Sequence, residues 1–361
     1  MQRADRFTAF RPYAVMALAL LIAGCLPSSC QRDGYEALMP SDSLSRQIAQ
    51  QTPIDTLQHV WSATGDSSRR LQFPRTVAFG PEGQLLVSDV ERNSIFAFTA
   101  TGAFVRETAI DLLDIPYLIG TRGDTLVVLN AGSDQITLVQ GDRLVRSLPV
   151  AVGRAGKSSL LYGAATDSAL YAKVVGEEVD NFVARINRRG EVVTRVPLPG
   201  PSWRHAGLLR IWGDSLLSLS GFRPIVDVLP LPLIDTTRAD SMALRGFDSP
   251  MLPRTRAFMT GEVSKAPLLT AAAAPVGDRL FVLNLRPGWL QIDTYDRAGQ
   301  IHHRLRQAET TYEDSFYPRD LAVQRRDGGY DIAVTFTDPE PRLDVYRWTP
   351  AAPTAPPVAP K

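Results

Sequence analysis

"GPEGQLLVSDVERNSIFAFTATGAF", residues 80–104, holds a turn, an apolar run, a polar tip, an alternating run and a second turn. An apolar run bounded by Gly and Asp reads as a buried strand, and the alternating run after it as its hairpin partner. Five further segments repeat the turn followed by an apolar triplet: "GDTLVVLN" (123–130), "TDSALYAK" (166–173), "GDSLLSLS" (213–220), "GDRLFVLN" (277–284) and "GGYDIAVTF" (328–336). Taking Leu85, Leu126, Leu170, Leu216, Leu280 and Ile332 as equivalent, the spacings are 41, 44, 46, 64 and 52 residues. A period in the forties, built of short strands and Gly/Asp turns, predicts the four-stranded blades of a propeller.

The two ends of the array match best. "FPRTVAF" (73–79) parallels "YPRDLAV" (317–323), and a turn plus one more strand completes a unit at "ATGAFVRE" (100–107) and "RAGQIHHRL" (297–305). The last unit has three strands, which would leave an open edge. The orphan strand "TLQHVWSA" (56–63) is predicted to join it and close the ring. Between the fourth and fifth repeats the extra length lies at 230–265, read as a surface loop or a short helix over Thr237–Arg245, or else as a lid.

"FPRTVAFGPEGQLLVSDVERNSIFAFTATGAFVRE" (73–107) resembles an NHL repeat, with F-P-x-x-V-A, P-x-G-x-L-x-V-x-D, N-x-I-x-x-F and G-x-F in order. The chain as a whole resembles the six-bladed β-propeller lipoproteins of bacteria. The resemblance implies an all-β, six-bladed NHL/TolB-like propeller over 54–349, its ring closed by the N-terminal strand.

The flanks give an address. Residues 1–24 run from arginines at 3, 6 and 11 through an apolar stretch at Ala14–Ile22, the order of a secretory signal. Ile22-Ala23-Gly24-Cys25 resembles the lipobox of bacterial lipoproteins, which makes Cys25 the acylated residue and the membrane a partner through its acyl chains. The expected product faces the periplasm or the cell surface. Residues 25–53 read as a flexible tether with room for a short helix around Ser41–Gln51, and 350–361 as a disordered Pro/Ala-rich tail.

The whole chain has 39 basic and 38 acidic residues, and removing 1–24 leaves a formal charge of −1. Such a balance offers no field for nucleic acid. The two cysteines, Cys25 and Cys30, both precede the repeats, so the body has no thiol chemistry.

No catalytic motif is found: G-x-S-x-G, H-E-x-x-H, P-loop and C-x-x-C are all missing. His302 and His303 would point to opposite faces of one strand. No cofactor is expected. Some six-bladed propellers, gluconolactonases among them, hold a channel metal, and by that resemblance Asp89, Asn130 and Asn284 are weak ligand candidates, with Asp89 the better reading as a turn cap.

In a propeller the loops between second and third strands open on the same face as the entries to the innermost strands. Those positions hold Arg75, Arg92, Tyr117, Tyr162, Trp203 and Arg204, then Arg223, Arg286, Trp289, Tyr317, Arg319 and Arg342, with Glu177, Asp180 and Phe222 beside them. Arg and aromatic side chains are what binding hot spots favour. The expected function is therefore a non-catalytic recognition or scaffold module binding a protein or glycan on that face. The alternatives are a metal-dependent hydrolase or lyase in the channel, and a carbohydrate-binding lipoprotein using exposed Trp203 and Trp289.

Overall fold

The structure, a computed structural model, describes residues 42–150, 159–177, 180–308 and 316–350. Residues 1–24, Cys25, Cys30 and the tail from 351 lie outside the described residues. Helix α1 (Asp42–Gln51) leads into β1 (Ile54–Ala63). Then come four antiparallel four-stranded meanders. The first is β2 (Pro74–Phe79), β3 (Leu85–Asp89), β4 (Ser94–Phe98) and β5 (Phe104–Ala109); the second is β6 (Pro116–Arg122), β7 (Thr125–Asn130), β8 (Gln135–Gln140) and β9 (Arg143–Pro149). The third is β10 (Leu160–Ala165), β11 (Leu170–Val175), β12 (Phe182–Ile186) and β13 (Val192–Pro197); the fourth is β14 (Leu209–Trp212), β15 (Ser215–Ser218), β16 (Ile225–Pro230) and β17 (Asp240–Ala243).

The last strands form one eight-stranded sheet. Its two runs are β18 (Thr270–Val276), β19 (Arg279–Asn284), β20 (Gln291–Tyr295), β21 (Ile301–Gln307) and β22 (Tyr317–Arg326), β23 (Gly329–Asp338), β24 (Arg342–Trp348). β1 joins them. Its first residues, Ile54–Leu57, pair in parallel with Arg304–Gln307 of β21, while Gln58–Ala63 pair antiparallel with Leu343–Arg347 of β24. Five sheets result where the repeats predicted six, because β1 is long enough to bond both neighbours.

The first strands of the runs touch in a closed cycle, β2 to β6, β10, β14, β18, β22 and back to β2. The arrangement is all-β and propeller-like. Burial follows from it: the second strands "LLVSD" and "LYAKVV" are buried throughout because sheets cover both faces, whereas "RLVRSL" in the rim strand β9 is largely exposed. The core lies between sheets, as where Phe96 and Phe98, both buried, pack with Phe104 against Val345 and Ala333.

The closing strand also grips the first sheet. Trp61 of β1 donates its indole N–H to Ala100 O at 3.1 Å, and a Cβ on Gly102 would come within 2.7 Å of the same ring. Gly102, at φ 88°, thus serves both the turn and the contact.

Two expectations are revised. The tether is shorter than 25–53, because Ser45 and Ala49 of α1 are buried and Arg304 N–H donates to Pro53 O at 2.9 Å. Within 237–245 the chain forms strand β17 (Asp240–Ala243), not a helix, since Ile225–Val228 of β16 would otherwise be left as a bare edge. The insertion's helix is α2 (Leu252–Met259), which follows it.

Candidate functional site

β2 and β22 carry the matching repeats, and ring closure makes them neighbours. Pro74 opens β2 and Pro318 is the second residue of β22; each strand has a register shift before Thr76 or Asp320, whose backbone N–H donates to a hydroxyl on the next strand, Ser88 or Thr335. Arg75 and Arg319 are therefore the same residue of the repeat, set side by side. The Arg319 guanidinium lies 4.7 Å from the Phe73 ring centroid and 4.1 Å from that of Tyr317.

Three phenols complete the cluster. Arg75 Nε donates to Tyr117 Oη at 3.3 Å, and its guanidinium sits over that ring at 5.4 Å. Tyr162, from the third sheet, is buried, which pushes its hydroxyl up to about 12. Burial, reinforced by the like charge of Arg75, lowers the Arg319 guanidinium from its usual value, and Tyr317 is raised chiefly by burial. Burial acts to lower Arg75 as well, but Tyr117 and the buried Asp320 carboxylate carry it above its usual value, so the repulsion that an added anion would relieve falls chiefly on Arg319.

Two pockets flank the cluster. One, about 500 Å³, lies between the second and third sheets and is lined by Asp114, Ile115, Tyr117, Gly132, Leu161 and Tyr162. Ile115 takes a φ of 52°, an outlier for a β-branched residue, with its N–H held by Asn93 Oδ1 at 2.9 Å. The other, about 380 Å³, lies between the insertion and Tyr317. A further pocket of about 570 Å³ sits along β1 beside His59, Arg342 and Tyr346.

The remaining sequence-predicted residues are placed differently. Arg92 makes a two-pronged pair with Glu107 at 2.7 and 3.0 Å. Arg342 pairs with Asp344 at 3.0 Å, and Arg286 with Asp248 of the insertion at 3.1 Å. The Trp289 ring centroid lies 5.9 Å from the Arg286 guanidinium and 4.6 Å from that of Arg306. Trp203 meets Phe258 of α2 edge-on at 5.3 Å. Glu177 and Asp180 are exposed, and Phe222 is half-buried beside Ser220.

Arg204 and Arg223 are corrected: both are buried and belong to no open face. Arg223 donates from Nη2 to Asp227 Oδ2 at 2.8 Å and from Nε to Arg204 O at 2.8 Å, so the aromatic-and-Arg signal there marks a structural ion pair.

Asp89 accepts from four backbone N–H groups, those of Gln72, Phe73, Glu91 and Arg92, at 2.6 to 3.2 Å. Asn130 bonds Thr137 Oγ1 and accepts from Asp114 N–H; Asn284 donates to Asp248 O and to buried Asp293. Among the described residues no group of three or more His, Cys, Asp or Glu could hold a metal. His302 and His303 face opposite ways, to Asp296 at 3.1 Å and to Asp55 at 2.9 Å.

Below the mouth, Arg210 of β14 reaches Asp320 of β22 at 2.6 Å, linking strands that are not ring neighbours, and Asp320 also accepts Val77 N–H at 3.1 Å. An ion pair thus ties two innermost strands that are not neighbours in the ring. Sequence reading missed this role for Asp320, although "YPRDLAV" and "FPRTVAF" differ at that position. It also missed Lys173, buried on β11, whose Nζ donates to Ser218 Oγ at 3.2 Å and Leu219 O at 3.0 Å. Nothing local marks a lysine as buried.

The fold is similar to that of a luciferin-regenerating enzyme, with a TM-score of 0.51 at 12% identity over 78% of this chain and 92% of that one. A streptogramin B lyase aligns at 0.49 and 12% identity, covering 80% and 98%, and a Myxococcus xanthus glutaminyl cyclase at 0.41 and 11%, covering 82% and 98%. At such identity the likeness speaks for the fold alone. No family model matches the chain, and no curated protein matches it.

Proposed function

We propose that this chain is a lipid-anchored, six-bladed propeller of NHL-like repeats that recognises an anionic ligand at its channel mouth, without catalysis. The count of six takes the eight-stranded sheet as two blades sharing β1, in keeping with the six innermost strands of the cycle. The anchor rests on the lipobox Ile22-Ala23-Gly24-Cys25.

The observation that carries the reading is the meeting of Arg75 and Arg319 with Tyr117, Tyr162 and Tyr317, drawn from four different strands, at one point. Arg75 uses Nε on Tyr117, and Arg319 uses Nε on Thr337 Oγ1 at 2.9 Å, an arrangement that fixes both guanidinium planes. Preset guanidiniums lose little freedom when they take up an acid. The oxygens of Asp89 and Asn130 are taken up by backbone N–H groups, which supports binding over metal chemistry at those two positions, whereas Asn284 is held through its Nδ2 and keeps its Oδ1 without a partner. The carbohydrate reading is weakened by the packing of Trp203 on Phe258.

The test is an NMR titration of arginine Nε–H resonances with inorganic phosphate. Two of them should shift saturably, and Arg75→Gln/Arg319→Gln should weaken binding at least about tenfold, the effect of losing one charge-assisted bond. No saturable shift in the unaltered chain would refute the reading.

A further inference from the structure

Next to the two arginines the mouth carries a largely apolar groove of about 380 Å³, walled by Pro267, Leu268, Leu285, Phe316 and Tyr317, with Arg286, paired to Asp248, also in its lining. Its floor is built, not accidental. Leu285 N–H donates to Leu269 O, Leu269 N–H to Gly221 O, and Arg286 and Asn284 tie the insertion down through Asp248. Leu268 is nevertheless 38% exposed on the groove wall. Tyr317 belongs to both features, since its ring lines the groove and carries the Arg319 guanidinium 4.1 Å from its centroid.

We infer that the ligand is a single-chain amphipathic acid, its apolar chain lying in this groove and its carboxylate on Arg75 and Arg319. The inference rests on the anion-binding reading and adds the ligand class. Charge complementarity selects the head, because the two guanidiniums are near enough to repel one another and have phenol hydroxyls beside them. The groove's volume, at the small end for ligand pockets, selects a chain of medium length. A free inorganic anion would leave the groove idle, and a neutral alkyl chain would leave the repulsion between the arginines in place.

The experiment is calorimetric titration of the full chain with butanoate, hexanoate and octanoate, with inorganic phosphate and 1-octanol as single-feature controls. Affinity should rise roughly fourfold per added methylene, the value of a buried CH₂. Octanoate should exceed both controls by at least about tenfold. Leu268→Glu should abolish the chain-length dependence, whereas Arg75→Gln/Arg319→Gln should lose the binding of phosphate and octanoate alike. Phosphate binding with no dependence on chain length would overturn this inference and leave the anion reading standing. Loss of all anion binding in the unaltered chain would overturn both, and a chain-length dependence that survives Leu268→Glu would remove the groove as its seat.

Discussion

At the scale of single residues, Lys173 is the least comfortable group in the fold. It is buried on a strand covered on both faces, stacked 5.1 Å from the Tyr162 ring centroid and near Arg223 and Asp227. Burial, with help from Arg223, holds its ammonium well below the ordinary value of 10.5, against the pull of Asp227. The unfolded chain then binds the proton more readily than the folded one, so stability must rise as pH climbs towards 10.5. In Lys173→Met that contribution disappears. The stability gap between the native protein and the variant should move in favour of the native protein as pH rises, with a slope approaching about 1.4 kcal/mol per pH unit in part of the window from 7 to 10. Urea unfolding midpoints at several pH values measure it, and parallel profiles would dismiss the burial account.

At the scale of elements, β1 does the most. It bonds β21 with one half and β24 with the other, buries Leu57, and presses Trp61 on the first sheet. Asp55 adds an anchor, accepting the Trp348 indole N–H at 2.9 Å and bonding His303. Removing residues 54–66 would bare the edges of β21 and β24 together. With about 1 kcal/mol for each hydrogen bond lost, the melting temperature should fall roughly 10 °C or more and the protein should self-associate. Sedimentation of the deletion variant decides the point: a monomer with native thermal stability would rule out closure by β1.

At the scale of the whole molecule, the ring converts distant sequence into adjacency. Residues 73–75 and 317–319 stand at opposite ends of the array, and only closure places their arginines together. The mouth is thus an assembly of blades, and any change that opens the ring should cost binding as well as stability. The proposed anchor would act at the same scale. Two acyl chains at Cys25 would hold the folded part at a membrane surface. Cys25→Ser should move most of the protein from the membrane fraction to the soluble one on fractionation, and retention in the membrane would argue against lipidation.

What the sequence alone determined is what local chemistry dictates. Apolar triplets behind Gly and Asp turns fixed the strands, the forty-residue period fixed the propeller-like class, and the orphan strand at 56–63 pointed to β24. The equivalence of Arg75 and Arg319 was also legible, because repetition is a property of the string. Tertiary structure decided the rest. Arg204 and Arg223 read like Arg75, but a neighbouring Asp227 and the packing of two sheets took them inside. Residues 240–243 became a strand because β16 needed a partner, and the bridge from Arg210 to Asp320 exists because the ring brings two non-neighbouring strands within reach. Burial and pairing are relations between segments far apart in the chain, so no single segment could carry them.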